Sequence, residues 1–184
     1  MSLRIVGGRL GGRRIEAPSG RAVRPTRERV REAWFSALGD RIERARVLDL
    51  FAGSGALGIE ALSRGAALVH FVEADGRAFR VLRRNLELLG VADLARLHRG
   101  DVFRLLDRLR AGPRFDVALA DPPYGEGLAA RLVDRFRREP FAGILCVEHA
   151  SSERLAGRPV RERTYGESTL SFFSADKGDE TGGH

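Results

Sequence analysis

Apolar and polar positions follow three different patterns along the chain. Between residues 47 and 148, short apolar runs alternate with stretches where apolar residues recur every three or four positions. The runs predict strands over Val47–Phe51, Leu68–Glu73, Leu94–His98, Phe115–Ala120 and Ile144–Glu148. The helical spacing predicts helices over Ala56–Ser63, Asp75–Leu89, Val102–Leu109 and Gly127–Arg137. Such alternation implies a mostly parallel sheet wrapped by helices, an α/β fold. After Glu148 the pattern changes. Val160–Tyr165 and Thr169–Ser174 flank Gly166-Glu167-Ser168 and predict a closing antiparallel hairpin.

The pattern before residue 47 is different again. Leu3-Arg4-Ile5-Val6 and Arg13-Arg14-Ile15-Glu16 surround two glycine pairs and predict a hairpin or two short extended arms. Pro25-Thr26 opens a helix, with Thr26 as its cap and Glu28 near the positive end of the dipole. Val30, Ala33, Trp34, Ala37 and Leu38 form its apolar stripe, which should pack on the main domain, and Gly39 ends it. Asp176 to His184 is polar and glycine-rich, the composition of a disordered tail. The expected organisation is a basic extension over 1–40, one domain over 41–175 and a tail over 176–184.

Composition narrows the partners. A chain of 184 residues, 43% hydrophobic, suits one domain with a small appendage. The net charge is +7, and all but one of the 32 basic residues are arginine. Arginine binds phosphate in a bidentate fork, so the excess favours a nucleic acid or other polyanion. Arg4, Arg9, Arg13, Arg14 and Arg24 concentrate in the N-terminal segment, which has too few apolar residues to form a core of its own. It reads as an arm over the active face that touches RNA and whose removal through Ala17 leaves the fold intact. Cys146 is the single cysteine, which excludes an internal disulfide and a cysteine-rich metal site. No apolar run has membrane-spanning length and no secretory segment opens the chain, so a cytoplasmic monomer without metal is expected.

The candidate chemistry begins at Val47 to Gly58, a strand, a tight turn and a helix. Gly53-x-Gly55-x-x-Gly58 has the spacing of a dinucleotide loop, and Glu73 follows at a suitable distance. Asp49 separates the readings. A carboxylate there repels a pyrophosphate but suits a cation, such as the amino group of a methionine moiety. The loop is therefore closer to that of an S-adenosylmethionine site, with Asp49, Phe51, Gly53 and Gly55 around it. Glu73, at the end of the second strand, can accept both ribose hydroxyls of an adenosine. Asp101 can accept from an adenine amino group while the Val102 backbone meets the ring edge; capping the next helix is an equal use of Asp101.

Asp121-Pro122-Pro123-Tyr124 ends the fourth strand. Consecutive prolines stiffen the loop and remove two N–H donors. What remains is a rigid pair of acceptors, the Asp121 carboxylate and a proline carbonyl such as that of Pro122, beside the flat face of Tyr124. That set holds both hydrogens of a planar amine. An aryl amine is a poor nucleophile because its lone pair is delocalised, and fixing both hydrogens favours the more nucleophilic pyramidal form. No strong base is needed, since the amine becomes acidic as it gains a methyl group.

Arg4-Ile5-Val6-Gly7-Gly8, Arg24-Pro25-Thr26 with Arg29-Val30-Arg31-Glu32, Leu48 to Gly65, Asp121 to Tyr124, and Tyr165-Gly166 with Leu170 together resemble the bacterial small-subunit ribosomal RNA guanine-N2 methyltransferase family. Its members methylate the guanine at nucleotide 966 of 16S rRNA, and the resemblance covers almost the whole chain. It implies a class I methyltransferase fold with a seven-stranded sheet, S-adenosylmethionine as cofactor, and 16S rRNA in a partly assembled small subunit as substrate. Thr26 and Arg29 could equally close over the cofactor. Three other functions stay open on the residues alone. An amino-methyltransferase for adenine N6 or cytosine N4 would use the same Asp-Pro-Pro-Tyr. An NAD-dependent oxidoreductase is disfavoured by Asp49. A non-catalytic RNA-binding module would bind RNA without S-adenosylmethionine.

Overall fold

The structure, a computed structural model, describes residues 2–17, 25–109 and 115–176. A two-stranded antiparallel ribbon, β1 (Ser2–Arg4) with β2 (Arg14–Glu16), leads to helix α1 (Pro25–Leu38). Then come β3 (Arg46–Leu50), α2 (Ala56–Ser63), β4 (Leu68–Glu73), α3 (Gly76–Leu89), β5 (Ala95–Arg99), α4 (Val102–Arg108), β6 (Phe115–Ala120), α5 (Leu128–Arg138) and β7 (Ala142–Ala150). Strands β8 (Arg161–Tyr165) and β9 (Ser168–Ser174) complete a seven-stranded sheet of order β5-β4-β3-β6-β7-β9-β8. The first five strands of that order pair in parallel, and β9 pairs antiparallel with both β7 and β8. The α/β architecture with a closing hairpin is thus the one expected.

Alternation within the central strands divides the core into two layers. Val47, Val69, Phe71, Val117, Leu119 and Cys146 face α1, α2 and α3; Leu48, Leu50, Val72, Ala118, Leu145 and Val147 face α4 and α5. Chain order reverses between β3 and β6, because β4 and β5 build one way and β6 and β7 the other. A crevice opens at such a switch point, outside the carboxyl ends of the strands. Trp34 is 0% exposed, so it is a packing residue and not a platform for bases.

Two expectations for the N-terminal segment need correction. The helix begins at Pro25, one residue earlier than its expected cap, so Thr26 lies inside the first turn. Proline suits that first position, since its φ is already helical and its missing N–H would be unpaired there. The arm, moreover, is not a separate appendage but part of the main core. Leu3, Ile5, Leu10 and Ile15 are buried in the main core. Glu60, fully buried on α2, accepts the backbone N–H groups of Val6 and Gly7, each at 2.8 Å, and Arg64 completes its shell at 2.8 Å. Ser63 Oγ accepts from Leu10 N, and Asn85 bonds both N–H and C=O of Glu16. Removing the arm would take two N–H donors from Glu60 and expose the core surface beneath Leu3, Ile5, Leu10 and Ile15, so the fold would not be left intact. A few apolar residues with a period of two sufficed because they join an existing core. The expected tail beyond Asp176 lies outside the described residues, as does Arg24.

Candidate active site

The glycine loop is built by close approach. After β3 the chain turns through Phe51 (φ 61°), Gly53 (φ 58°) and Gly55 (φ 85°) before α2 starts. A bulky residue such as Phe51 is strained in the left-handed region, and strain of this kind is held by surrounding structure at functional sites. The Phe51 side chain is partly buried against the α4–α5 layer. A Cβ on Gly58 would lie 2.2 Å from the Phe71 ring and 2.9 Å from Asp49 Oδ2, so only glycine lets α2 sit this near β3 and β4. That proximity delivers the Gly58 N–H to Asp49 Oδ2 at 2.9 Å.

Asp49 is 1% exposed, and its other oxygen, Oδ1, has no hydrogen-bond partner among the described residues. Loss of water around the buried carboxylate pushes its pKa up to about 8; the Gly58 N–H pulls the other way, and the negative charges of Asp121 and Glu73 add to the rise. Glu73, ending β4, accepts Gly53 N through one oxygen and Asp75 N through the other, both at 2.7 Å. It thereby ties the second strand to the glycine loop, and each oxygen keeps a further acceptor site. Asp101 caps α4 by accepting Arg104 N at 2.9 Å, so the capping use holds; Val102 is buried at the first position of that helix.

Asp121 follows β6 directly, with Pro122 buried and Pro123 and Tyr124 exposed. The Tyr124 hydroxyl lies 2.9 Å from Glu148 Oε1 and 2.6 Å from Ser168 Oγ. Partial burial and the nearby Glu148 carboxylate hold its pKa well above the ordinary phenol value. Glu148 and Ser168 belong to strands 24 and 44 residues away and were missed by the sequence. A charged residue near the end of the otherwise apolar run 144–147 was the one available signal for Glu148.

The described geometry fits S-adenosylmethionine. A buried carboxylate oxygen without a partner suits a cationic amino group, Glu73 has acceptor capacity left for ribose hydroxyls, and the glycine loop leaves no room for side chains. Of the arginines expected to meet RNA, Arg4, Arg9, Arg13 and Arg14 are exposed; Arg4 pairs with Glu28 at 3.2 Å, Arg13 donates to the Leu88 carbonyl and Arg14 to Ser2 Oγ. Among the described residues there is no cluster of metal-ligating side chains and no helix long and apolar enough to cross a membrane.

Known proteins carry the same architecture. The family described as Conserved hypothetical protein 95 matches residues 3–174. Ribosomal RNA small subunit methyltransferase D of Escherichia coli strain K12 is 34% identical over 158 residues, covering 86% of this chain and 78% of that protein. A Thermus thermophilus protein of solved structure is 33% identical with a TM-score of 0.82, over 94% of this chain and 99% of the other. An RNA methyltransferase from Salinibacter ruber, solved with S-adenosyl-L-homocysteine, shares the fold at 18% identity and a TM-score of 0.67, over 88% of this chain and 98% of that one. On the match over nearly its whole length, the chain belongs to this family, that of the small-subunit ribosomal RNA methyltransferases D.

Proposed function

We propose that this protein transfers a methyl group from S-adenosylmethionine to the exocyclic N2 of a guanine in 16S rRNA, the one at nucleotide 966, acting as a cytoplasmic monomer on a partly assembled small subunit. Asp121-Pro122-Pro123-Tyr124 at the switch point, beside a glycine loop with a buried carboxylate on the same side, carries the transfer to an exocyclic amine, while the choice of guanine N2 in 16S rRNA rests on membership of the family. The cofactor, when bound, supplies an electrophilic methyl group; Asp49, Glu73, the glycine loop and the start of α4 would hold it.

The chain's own residues do the rest by positioning. A paired guanine hides its amine, so the base is flipped out of its stack into the crevice. Tyr124 stacks against it, worth about 1–3 kcal/mol, and Glu148 and Ser168 fix the plane of the tyrosine ring. Asp121 and a proline carbonyl accept the two amine hydrogens and favour the pyramidal nitrogen. As N2 gains the methyl group it becomes acidic and gives its proton to water, with S-adenosylhomocysteine as the other product. The exposed Arg9, Arg13 and Arg14 support phosphate contact along the arm. Arg9→Gln with Arg13→Gln, which spares the arm's buried apolar residues, should weaken RNA binding and flatten its salt dependence.

The deciding experiment incubates small-subunit particles and bare rRNA with the protein and labelled S-adenosylmethionine, then analyses the nucleosides. N2-methylguanosine is the expected product. Label on adenine N6 or cytosine N4 would reject the guanine assignment while keeping the amino-methyltransferase.

A further inference from the structure

Glu148 stands next to the proposed catalytic loop with half of its hydrogen-bonding capacity idle. Register explains its position. Asp49 pairs with Phe71 on one side and Leu119 on the other, and Leu119 pairs with Cys146. Alternate residues share a face, so two positions further on Glu73 and Glu148 follow on the same side of the sheet, and Asp121, one residue past the end of β6, lies close enough to Asp49 and Tyr124 for its charge to act on both. Four carboxylates thus line one edge of the crevice in a chain whose net charge is +7. The row is built to receive hydrogen-bond donors: its deepest member, Asp49, is 1% exposed with an oxygen that has no partner among the described residues. Cofactor and amine account for Glu73, Asp49 and Asp121. Glu148 is partly buried, its Oε1 takes the Tyr124 hydroxyl at 2.9 Å, and its Oε2 has no hydrogen bond among the described residues.

We propose that Glu148 selects guanine over adenine and cytosine by accepting the ring N1–H through Oε2, while Asp121 accepts a hydrogen of the adjacent amine. The inference rests on the guanine-N2 reading above and gives it a physical basis beyond the amine itself. The chemistry discriminates. Guanine presents N1–H and N2–H as neighbouring donors, which two adjacent carboxylates complement. The adenine amine is flanked by the N1 lone pair and the cytosine amine by the N3 lone pair. Either base would face Glu148 with an acceptor against an acceptor, leaving both unpaired. Sites that hydrogen-bond a substrate N–H reject analogues lacking it far more strongly than apolar pockets reject a change of size.

The test uses small-subunit particles whose target nucleotide is guanine or 2-aminopurine, installed by RNA ligation. 2-Aminopurine keeps the amine at C2 but has a lone pair and no hydrogen at N1. The readout is the ratio of kcat/KM values for methyl transfer to the two bases. Wild type should favour guanine by at least about 100-fold. Glu148→Gln, whose amide can donate to the N1 lone pair, should shrink that ratio at least about ten-fold, chiefly by raising the rate on 2-aminopurine. Tyr124→Phe and Ser168→Ala loosen the tyrosine without changing the acceptor, so they should lower both rates and keep the ratio. Calorimetric binding of S-adenosylhomocysteine verifies that each variant is folded. Should Glu148→Gln fail to bind it, the ratio is read on Glu148→Ala, which removes the acceptor and must also shrink it. A ratio that stays at the wild-type value in the folded Glu148 variant overturns the proposal and leaves Glu148 as a support for Tyr124. Absence of methyl on guanine with wild type is a separate result: it removes the guanine-N2 function first.

Discussion

The two halves of the crevice are built in opposite ways. The β3–β4 half is dry and tightly packed: Asp49 is 1% exposed, Gly58 has no space for a side chain, and Glu73 is pinned to two backbone N–H groups. The β6–β7 half is open: Tyr124 is 43% exposed and is held at its hydroxyl by side chains from two other strands. The first half suits a small ligand whose shape never varies, bound by a preformed cradle. The second suits a base that must swing in from a polymer and leave again. On the proposed function, rigidity sits where the ligand is constant, and adjustable side-chain contacts sit where a macromolecule has to dock.

The most severe test of that division is Asp121→Ala. It should lower kcat by about 100- to 1,000-fold, the effect of removing one donor or acceptor aimed at a transition state, while calorimetry finds cofactor affinity nearly unchanged. Loss of cofactor binding in this variant would mean that the two halves are one unit.

Asp49→Asn probes the dry half, with opposite consequences for binding and stability. Cofactor affinity should fall by about 1.5–3 kcal/mol. Stability should respond to pH in a defined direction. The Asp49 pKa is raised from 3.8 to about 8 in the folded protein, so its contribution is fully present below pH 3.8 and is lost as pH rises through about 8. The asparagine variant does not suffer this loss. Its melting advantage over wild type should grow across that window and level off above it, at a free energy on the order of 5 kcal/mol. Equal melting curves at pH 5 and pH 9 for the two proteins would show that Asp49 is not ionised at a cost.

Gly58→Ala should destabilise the fold by about 1–3 kcal/mol through overpacking. Because the helix must also retreat from Asp49, cofactor affinity should fall with it. Denaturant unfolding and calorimetry measure the pair, and a stability loss without an affinity loss would uncouple packing from binding. The smallest effect belongs to Tyr124→Phe. Stacking survives, the bonds to Glu148 and Ser168 go, and methyl transfer should drop by roughly the factor of 3–10 that about 1 kcal/mol represents.

The same contrast explains what was legible in the sequence. The glycine loop and the Asp-Pro-Pro-Tyr loop are each contiguous, so every residue type and spacing was visible, and the strand–helix alternation around them fixed the sheet. The strand order, with β9 between β7 and β8, has no local signal. Neither do the partners of Tyr124, which arrive through register. Thr26 was misplaced as a cap because cap preference and proline's preference for the first helical position point to starts two residues apart. The arm was misjudged for a related reason. Its basic composition was visible, whereas the Glu60, Ser63 and Asn85 side chains that tie it down lie 53 to 69 residues further along.

Those distant ties also set an order of events during synthesis. The arm leaves the ribosome before its partners and must wait for them, since it closes only after Glu60, Ser63 and then Asn85 have emerged. Until then Arg64 is the partner of Glu60 on the nascent α2, and the arm's apolar residues stay exposed. Docking of the arm is therefore deferred until well after the arm itself has been made, and the separation in sequence between Gly7 and Glu60 is the length of nascent chain over which it waits.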